Sequence, residues 1–268
     1  MFDALFTTTT EYKKLSHALS GKGACALFGL PASGRAQVYA ALCRQLDKPL
    51  CIVTPGEAEA TRFAADLNTL GIPAAVFPAR DYVLRPIEGT ARECEYRRLA
   101  VLGELVGGRL CAVAVPAEAL TQFTTPKEDF CANTRTLHAG DTLLRDDLLA
   151  ALFGAGYTRR AQVDGPGQFS VRGDIVDIFA PDQKMPVRME FWGDEIDTLH
   201  TFDLTTQRRE DAIDKFYLSP AREVLFGKPA DAAEQLRAFL AKQRGKKKTA
   251  MTDCMAADLD LLDGGAVP

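Results

Sequence analysis

Across residues 23–115 short apolar runs alternate with longer segments of helical period, and no other feature narrows the possible fold as much. GACALFG (23–29), LCIVT (50–54), AAVFP (74–78) and LCAVAV (110–115) read as strands. RAQVYAALCRQL (35–46), GEAEATRFAADLNTL (56–70) and ARECEYRRLAVLGELV (91–106) read as the helices between them. Short apolar runs joined by helices indicate parallel strands with crossover connections. Thr54-Pro55 precedes the second helix and Gly71 closes it, which are ordinary start and stop signals. A doubly wound α/β layer is the expected result.

From about residue 134 the pattern changes. LRDDLLAALFGAGY is a short amphipathic helix ended by Gly154 and Gly156. QFSVRGDIVDIFA, VRMEFWGDEIDTLHTFD and DKFYLSP then read as strands separated by Gly, Pro and Asp turns. Strands that follow one another without helices form antiparallel sheet, so a second, α+β domain is expected here. After Pro220, AREVLFGKPADAAEQLRAFLAKQ returns to strand-then-helix, as if the first domain resumed after an insertion. The final LLDGGAVP carries no obvious structure, and the sequence is expected to be a portion of a longer protein.

Gly29-Leu30-Pro31-Ala32-Ser33-Gly34-Arg35-Ala36 has the spacing of a phosphate-binding loop, G-x-x-x-x-G-K-[ST]. That chemistry needs backbone N–H groups around the phosphates, a lysine on the terminal phosphate and a hydroxyl on Mg²⁺. Both glycines stand, but Arg35 occupies the lysine position and Ala36 the hydroxyl position. Arginine can meet a phosphate; alanine cannot ligate magnesium. The Asp194-Glu195 pair lies in the antiparallel region and offers no second metal ligand. On spacing alone an ordinary glycine-containing turn remains open, and on either reading no hydrolysis and no catalytic residue are expected.

Composition excludes several other classes. Seven cysteines form no CxxC pair and mostly sit in apolar stretches, so small buried hydrophobes are expected rather than disulfides. The three histidines have no metal-site spacing, and no metal or cofactor is expected. No apolar run approaches the ~20 residues that span a bilayer, and the N-terminus lacks a signal peptide's pattern; a cytoplasmic location is expected. With a net charge of −4 the surface as a whole does not attract nucleic acid. Its one dense basic run, Arg244–Lys248, reads as a solvated helix end before it reads as a DNA contact.

Strand alternation sorts the antiparallel region into two faces. Val187, Met189 and Phe191 share one face of PVRMEFWG, with Arg188, Glu190 and Trp192 opposite. Phe169 and Val171 share one face of GQFSVRG, with Gln168, Ser170 and Arg172 opposite. Two arginines and the only tryptophan thus fall on polar faces, and both residue types are enriched at binding hot spots. Solvated arginines and a tryptophan packed under a loop would leave the same pattern.

The order of these features resembles one family. The degenerate loop, FPARDYVL, the long GQFSVRGDIVDIF…PVRMEFWGDEID stretch and LSPAREVLF are similar to the N-terminal, UvrB-like region of the bacterial transcription-repair coupling factors (Mfd). The resemblance covers most of residues 15–230. UvrB shares the long stretch but has an intact GKT loop and a β-hairpin insertion; here GRA replaces GKT, and only Arg80–Arg92 separates strand from helix. The resemblance implies a helicase-like (RecA-like) but inactive parallel-sheet domain over 1–133. It implies an inserted α+β UvrA-binding domain over 134–220 and a return to the first domain over 221–268. It maps the UvrA contacts onto Arg172, Arg188 and Trp192, the last more often phenylalanine in the family. It further implies a full-length partner set of UvrA, RNA polymerase and double-stranded DNA, with the ATP-driven motor elsewhere in that protein. The competing readings are a nucleotide-binding ATPase and a damage-recognising DNA-binding module of the UvrB class.

Overall fold

The computed structural model describes residues 7–21, 24–46, 48–80, 92–225, 229–244 and 246–263. Its contacts divide the chain into two units, one within residues 1–80 and 100–123, the other within 81–99 and 124–268.

The first unit holds a three-stranded parallel sheet in the order β1-β3-β2, with β1 at Leu50–Thr54, β2 at Ala74–Val76 and β3 at Ala112–Pro116. On one face Ile52 and Ala112 pack against Ala40 and Cys43 of the helix Ala32–Gln45 and against Phe63 and Leu67 of the helix Glu57–Thr69. On the other, Val113 and Val115 pack against Phe77, Val101 and Leu110. Side chains therefore pack on both faces of β3, which lies between its neighbours and is buried throughout. The helix Glu57–Thr69 buries Ala60, Phe63, Ala64 and Leu67, one stripe at i, i+3, i+4 and i+7. Gly71 ends it at φ +75°, where a side chain is disfavoured. The Ile72 N–H then donates to Leu67 O (2.9 Å) and the Gly71 N–H to Asn68 O (3.0 Å), satisfying the last carbonyls. A helix absent from the sequence reading, Thr10–Ser20, is capped by Thr9 and lays Tyr12 and Leu15 on Val38, Ala41 and Leu42.

The second unit is built on a six-stranded sheet in the order β10-β9-β8-β7-β6-β5. Its strands are β5 Thr158–Arg159, β6 Gln168–Arg172, β7 Ile175–Phe179, β8 Val187–Trp192, β9 Glu195–Phe202 and β10 Arg209–Ala212. Pairing is antiparallel except for β5 with β6. A separate ribbon pairs β4, Arg135–His138, with β11, Lys215–Leu218. The inner face of the sheet buries Phe169, Val176, Ile178, Val187, Met189 and Phe191 against Leu148 and Leu152 of the helix Arg145–Gly154. Each such side chain contributes ~1.5–3 kcal/mol when fully withdrawn from water. Two tight hairpins close this region at Gly173-Asp174 and Gly193-Asp194, and both glycines have positive φ.

Several expectations are corrected. Residues 24–28 form no strand; they are irregular and exposed, because a strand persists only where its N–H and C=O groups find a partner ladder. Ala221–Leu225 is likewise not a strand: the Ala221 N–H donates to Ala155 O, and the Glu223 backbone is bound by the side chains of Thr125 and Glu95. Of the cysteines, Cys43 is buried whereas Cys25, Cys51 and Cys131 are exposed, Cys25 on the irregular segment and Cys51 on the open face of edge strand β1. Burial pushes the Cys43 thiol up to about 11. The link at residues 81–91, the side chains of Lys246–Lys248 in the basic run, and residues 264–268 lie outside the described residues.

Candidate partner-binding face

The outer face of the six-stranded sheet is organised in rows by its register. Ser170 lies opposite Asp177, Asp177 opposite Arg188 and Arg188 opposite His200. The next row is Arg172, Ile175, Glu190 and Thr198. Cross-strand partners project to the same side of a sheet, so these two rows bring Arg172 and Arg188 to one carboxylate. Arg188 is bidentate on Asp177, with Nε donating to Oδ1 at 2.7 Å and Nη2 to Oδ2 at 2.9 Å. Arg172 Nη2 donates to the same Oδ2 at 2.6 Å. Such charge-assisted, fork-shaped contacts are the strong class of hydrogen bond.

The two arginines differ sharply in environment. The Arg188 side chain is 11% exposed and that of Arg172 is 49% exposed, while Asp177 is fully buried. Arg188 lies over the Phe202 ring, 4.8 Å from its centroid, and its Nη1 donates to Gln207 O at 3.3 Å. The hydrogen bond to Asp177 raises its pKa further above the usual range. Gln207 supplies that carbonyl from a left-handed conformation at φ +58°, the one non-glycine with positive φ among the described residues. That conformation costs ~1–2 kcal/mol for an L-residue. It is held by the Gln207 N–H donating to Asp203 O (2.8 Å) and by Gln207 Nε2 donating to Leu204 O (2.8 Å). In the same turn Asp203 Oδ1 accepts from the Thr205 and Thr206 N–H groups, and these bonds hold its carboxyl below the usual range.

Trp192 stands at the end of β8, 82% exposed, so it is not packed under a loop. It pairs with Glu195 beyond a register shift at Glu190/Phe191, and alternation survives the shift, with Phe191 buried and Trp192 out. Arg188 and Trp192 are four residues apart on one strand, ~13 Å at strand rise. Between their rows Glu190 pairs with Arg209 of β10 and accepts from Thr198 Oγ1 at 3.4 Å. The face therefore presents an exposed aromatic ring, a half-exposed arginine and a buried ionic base. Sequence reasoning singled out Arg172, Arg188 and Trp192 and missed Asp177. The signal for Asp177 was present: one carboxylate between Val176 and Ile178 on an otherwise apolar strand needs a cation opposite it.

The glycine-loop residues lie in the other unit. Gly29 has φ +81°, and the helix begins at Ala32, so Gly34, Arg35 and Ala36 are already helical. Arg35 Nη1 faces Glu59 at 3.7 Å, and Ala36 is buried in the packing of the helix.

Residues 136–224 match the family model for the UvrB interaction domain. The transcription-repair-coupling factor of Mycobacterium bovis is 35% identical over 242 residues, 87% of this chain and 19% of that protein. That of Bacillus subtilis is 28% identical over 226 residues, 83% of this chain and 19% of that protein. The UvrABC system protein B of Chlorobium limicola is 28% identical over 226 residues, 79% of this chain and 32% of that protein. The chain spans about a fifth of the coupling factors and about a third of that UvrB protein. The UvrB interaction domain match over residues 136–224 thus lies within a chain that resembles the N-terminal UvrB-like region of bacterial transcription-repair-coupling factors.

Proposed function

We propose that this chain is a protein-interaction module of a transcription-repair coupling factor, and that the outer face of its six-stranded sheet binds UvrA. By that contact the full protein would bring the excision machinery to a stalled RNA polymerase in the bacterial cytoplasm. RNA polymerase and double-stranded DNA would be met by parts of the protein beyond this chain. The observation that carries the reading is the exposed Trp192 on the same face as the Arg172–Asp177–Arg188 cluster. An aromatic anchor flanked by donors aimed at carboxylates is the anatomy of a hot spot. Trp192→Ala is expected to weaken UvrA binding by ~2 kcal/mol or more, measured by calorimetry, with circular dichroism unchanged because the ring is exposed. Unchanged affinity would remove the ring from the site.

The module itself is proposed to be catalytically inactive and to need no cofactor. Its glycine loop is a degenerate phosphate loop in which Arg35 is turned to Glu59 and Ala36 is packed inward. No magnesium-dependent ATP turnover is expected, because no hydroxyl stands where the metal would be held. A phosphate-release assay that detected turnover abolished by Arg35→Ala would overturn this and favour the ATPase reading. The similarity to a UvrB protein keeps a second reading in view, a lesion-binding DNA module. Tight, salt-sensitive binding to damaged duplex would select it.

A further inference from the structure

We infer that Asp177 is a positioning residue of the partner face: it holds Arg172 for the partner, and Arg188 acts through Asp177 instead of touching the partner itself. The inference rests on the UvrA reading for its partner, and on the hydrogen bonds above for its geometry. All three guanidinium nitrogens of Arg188 are already engaged: Nε and Nη2 on Asp177, Nη1 on the Gln207 carbonyl. With its side chain 11% exposed and stacked on Phe202, Arg188 has little surface left to offer.

Arg172 is placed differently. Its Nη2 is bound to Asp177, while the side chain is half exposed at the edge of the row that leads to Glu190. One end of the guanidinium is thus fixed and the other is presented to solvent. A long side chain that must be ordered on binding loses rotamer entropy, and an arginine already tethered at one nitrogen has lost part of it before the partner arrives. The tether requires a buried carboxylate, and the buried carboxylate requires the bidentate cation on its other side. Arg188 is the cation that holds the Asp177 carboxylate in place, through both of its oxygens.

Neutralising the buried pair together with apolar side chains, Asp177→Leu with Arg188→Met, removes the tether without leaving a lone buried charge. In the parent chain Arg172→Ala is expected to weaken UvrA binding about tenfold or more, the lower end of the scale for a close charge pair across an interface. In the doubly neutralised background the same substitution should change affinity by less than about threefold, a non-additivity that marks coupled residues. Equal losses in the two backgrounds would overturn the inference. A partner-free measurement separates this from the partner reading: ¹⁵N relaxation of the Arg172 Nε–Hε group should be rigid in the parent and mobile in the doubly neutralised chain. If that group is equally rigid in both, Asp177 does not position it, whatever the chain binds. If the parent fails to bind UvrA while the relaxation difference appears, the partner assignment falls and the positioning stands.

Discussion

Arg98→Ala should cost the second unit ~3–5 kcal/mol, the penalty of leaving one member of a buried ion pair without the other. Arg98 and Glu223 are both fully enclosed. Arg98 Nε donates to Oε2 at 2.8 Å and Oε1 at 3.0 Å, and Nη2 donates to Oε1 at 2.7 Å. Thr124 Oγ1 donates to the same Oε1 at 2.6 Å, Thr125 Oγ1 donates to the Glu223 carbonyl, and the Glu223 N–H donates to Glu95 Oε1 at 2.8 Å. One glutamate thereby joins the chain entering the antiparallel region, the chain leaving it and the first turns of the helix Glu93–Val106. Urea unfolding would read the loss as a lower midpoint at unchanged slope. The double substitution Arg98→Met with Glu223→Leu should recover much of it, because apolar replacement of both partners removes the stranded charge. An Arg98→Ala midpoint equal to the parent's would mean that the pair is not buried in solution.

The second large effect separates two arginines that look equivalent in the sequence. Arg188→Glu is expected to destabilise the antiparallel unit by ~3–5 kcal/mol, since it strands Asp177 and sets a second carboxylate beside it. Arg172→Glu should cost about 1 kcal/mol or less in stability, because half of that side chain is already in water. Thermal melts followed by circular dichroism distinguish the two. A parent-like Tm for Arg188→Glu would show that the arginine is not needed by the sheet. The sequence places both arginines alike on polar strand faces; their exposures in the structure divide them. A loss of UvrA binding in Arg188→Glu would therefore not by itself locate a contact.

The antiparallel region was readable because its signals are local. Period-two alternation marks Val187, Met189 and Phe191 as inward, and glycine turns at 173 and 193 set the register of β6 to β9. The crossover helices were readable for the same reason, from stripes such as Ala60-Phe63-Ala64-Leu67. What failed depends on partners distant in the chain. Residues 24–28 are as apolar as LCIVT, yet a strand needs a neighbour, which composition does not supply. The Arg98–Glu223 pair links positions 125 residues apart, and Arg98 in EYRRL reads as an ordinary solvated helix residue. Asp177 was passed over because strand alternation says which way a side chain points, not that a carboxylate pointing outward will be sealed beneath two guanidinium groups.

Trp192 is the only tryptophan in the sequence, and its ring is largely in water in the folded chain. Unfolding would move that indole from one aqueous setting to another, so the tryptophan emission of this chain is nearly blind to its own stability. Contact is the event that would change the ring's surroundings: a surface closing over it replaces water with protein and shifts the emission to shorter wavelength. The molecule thus carries an optical reporter at its candidate interface, one that reads occupancy apart from folding and requires no label.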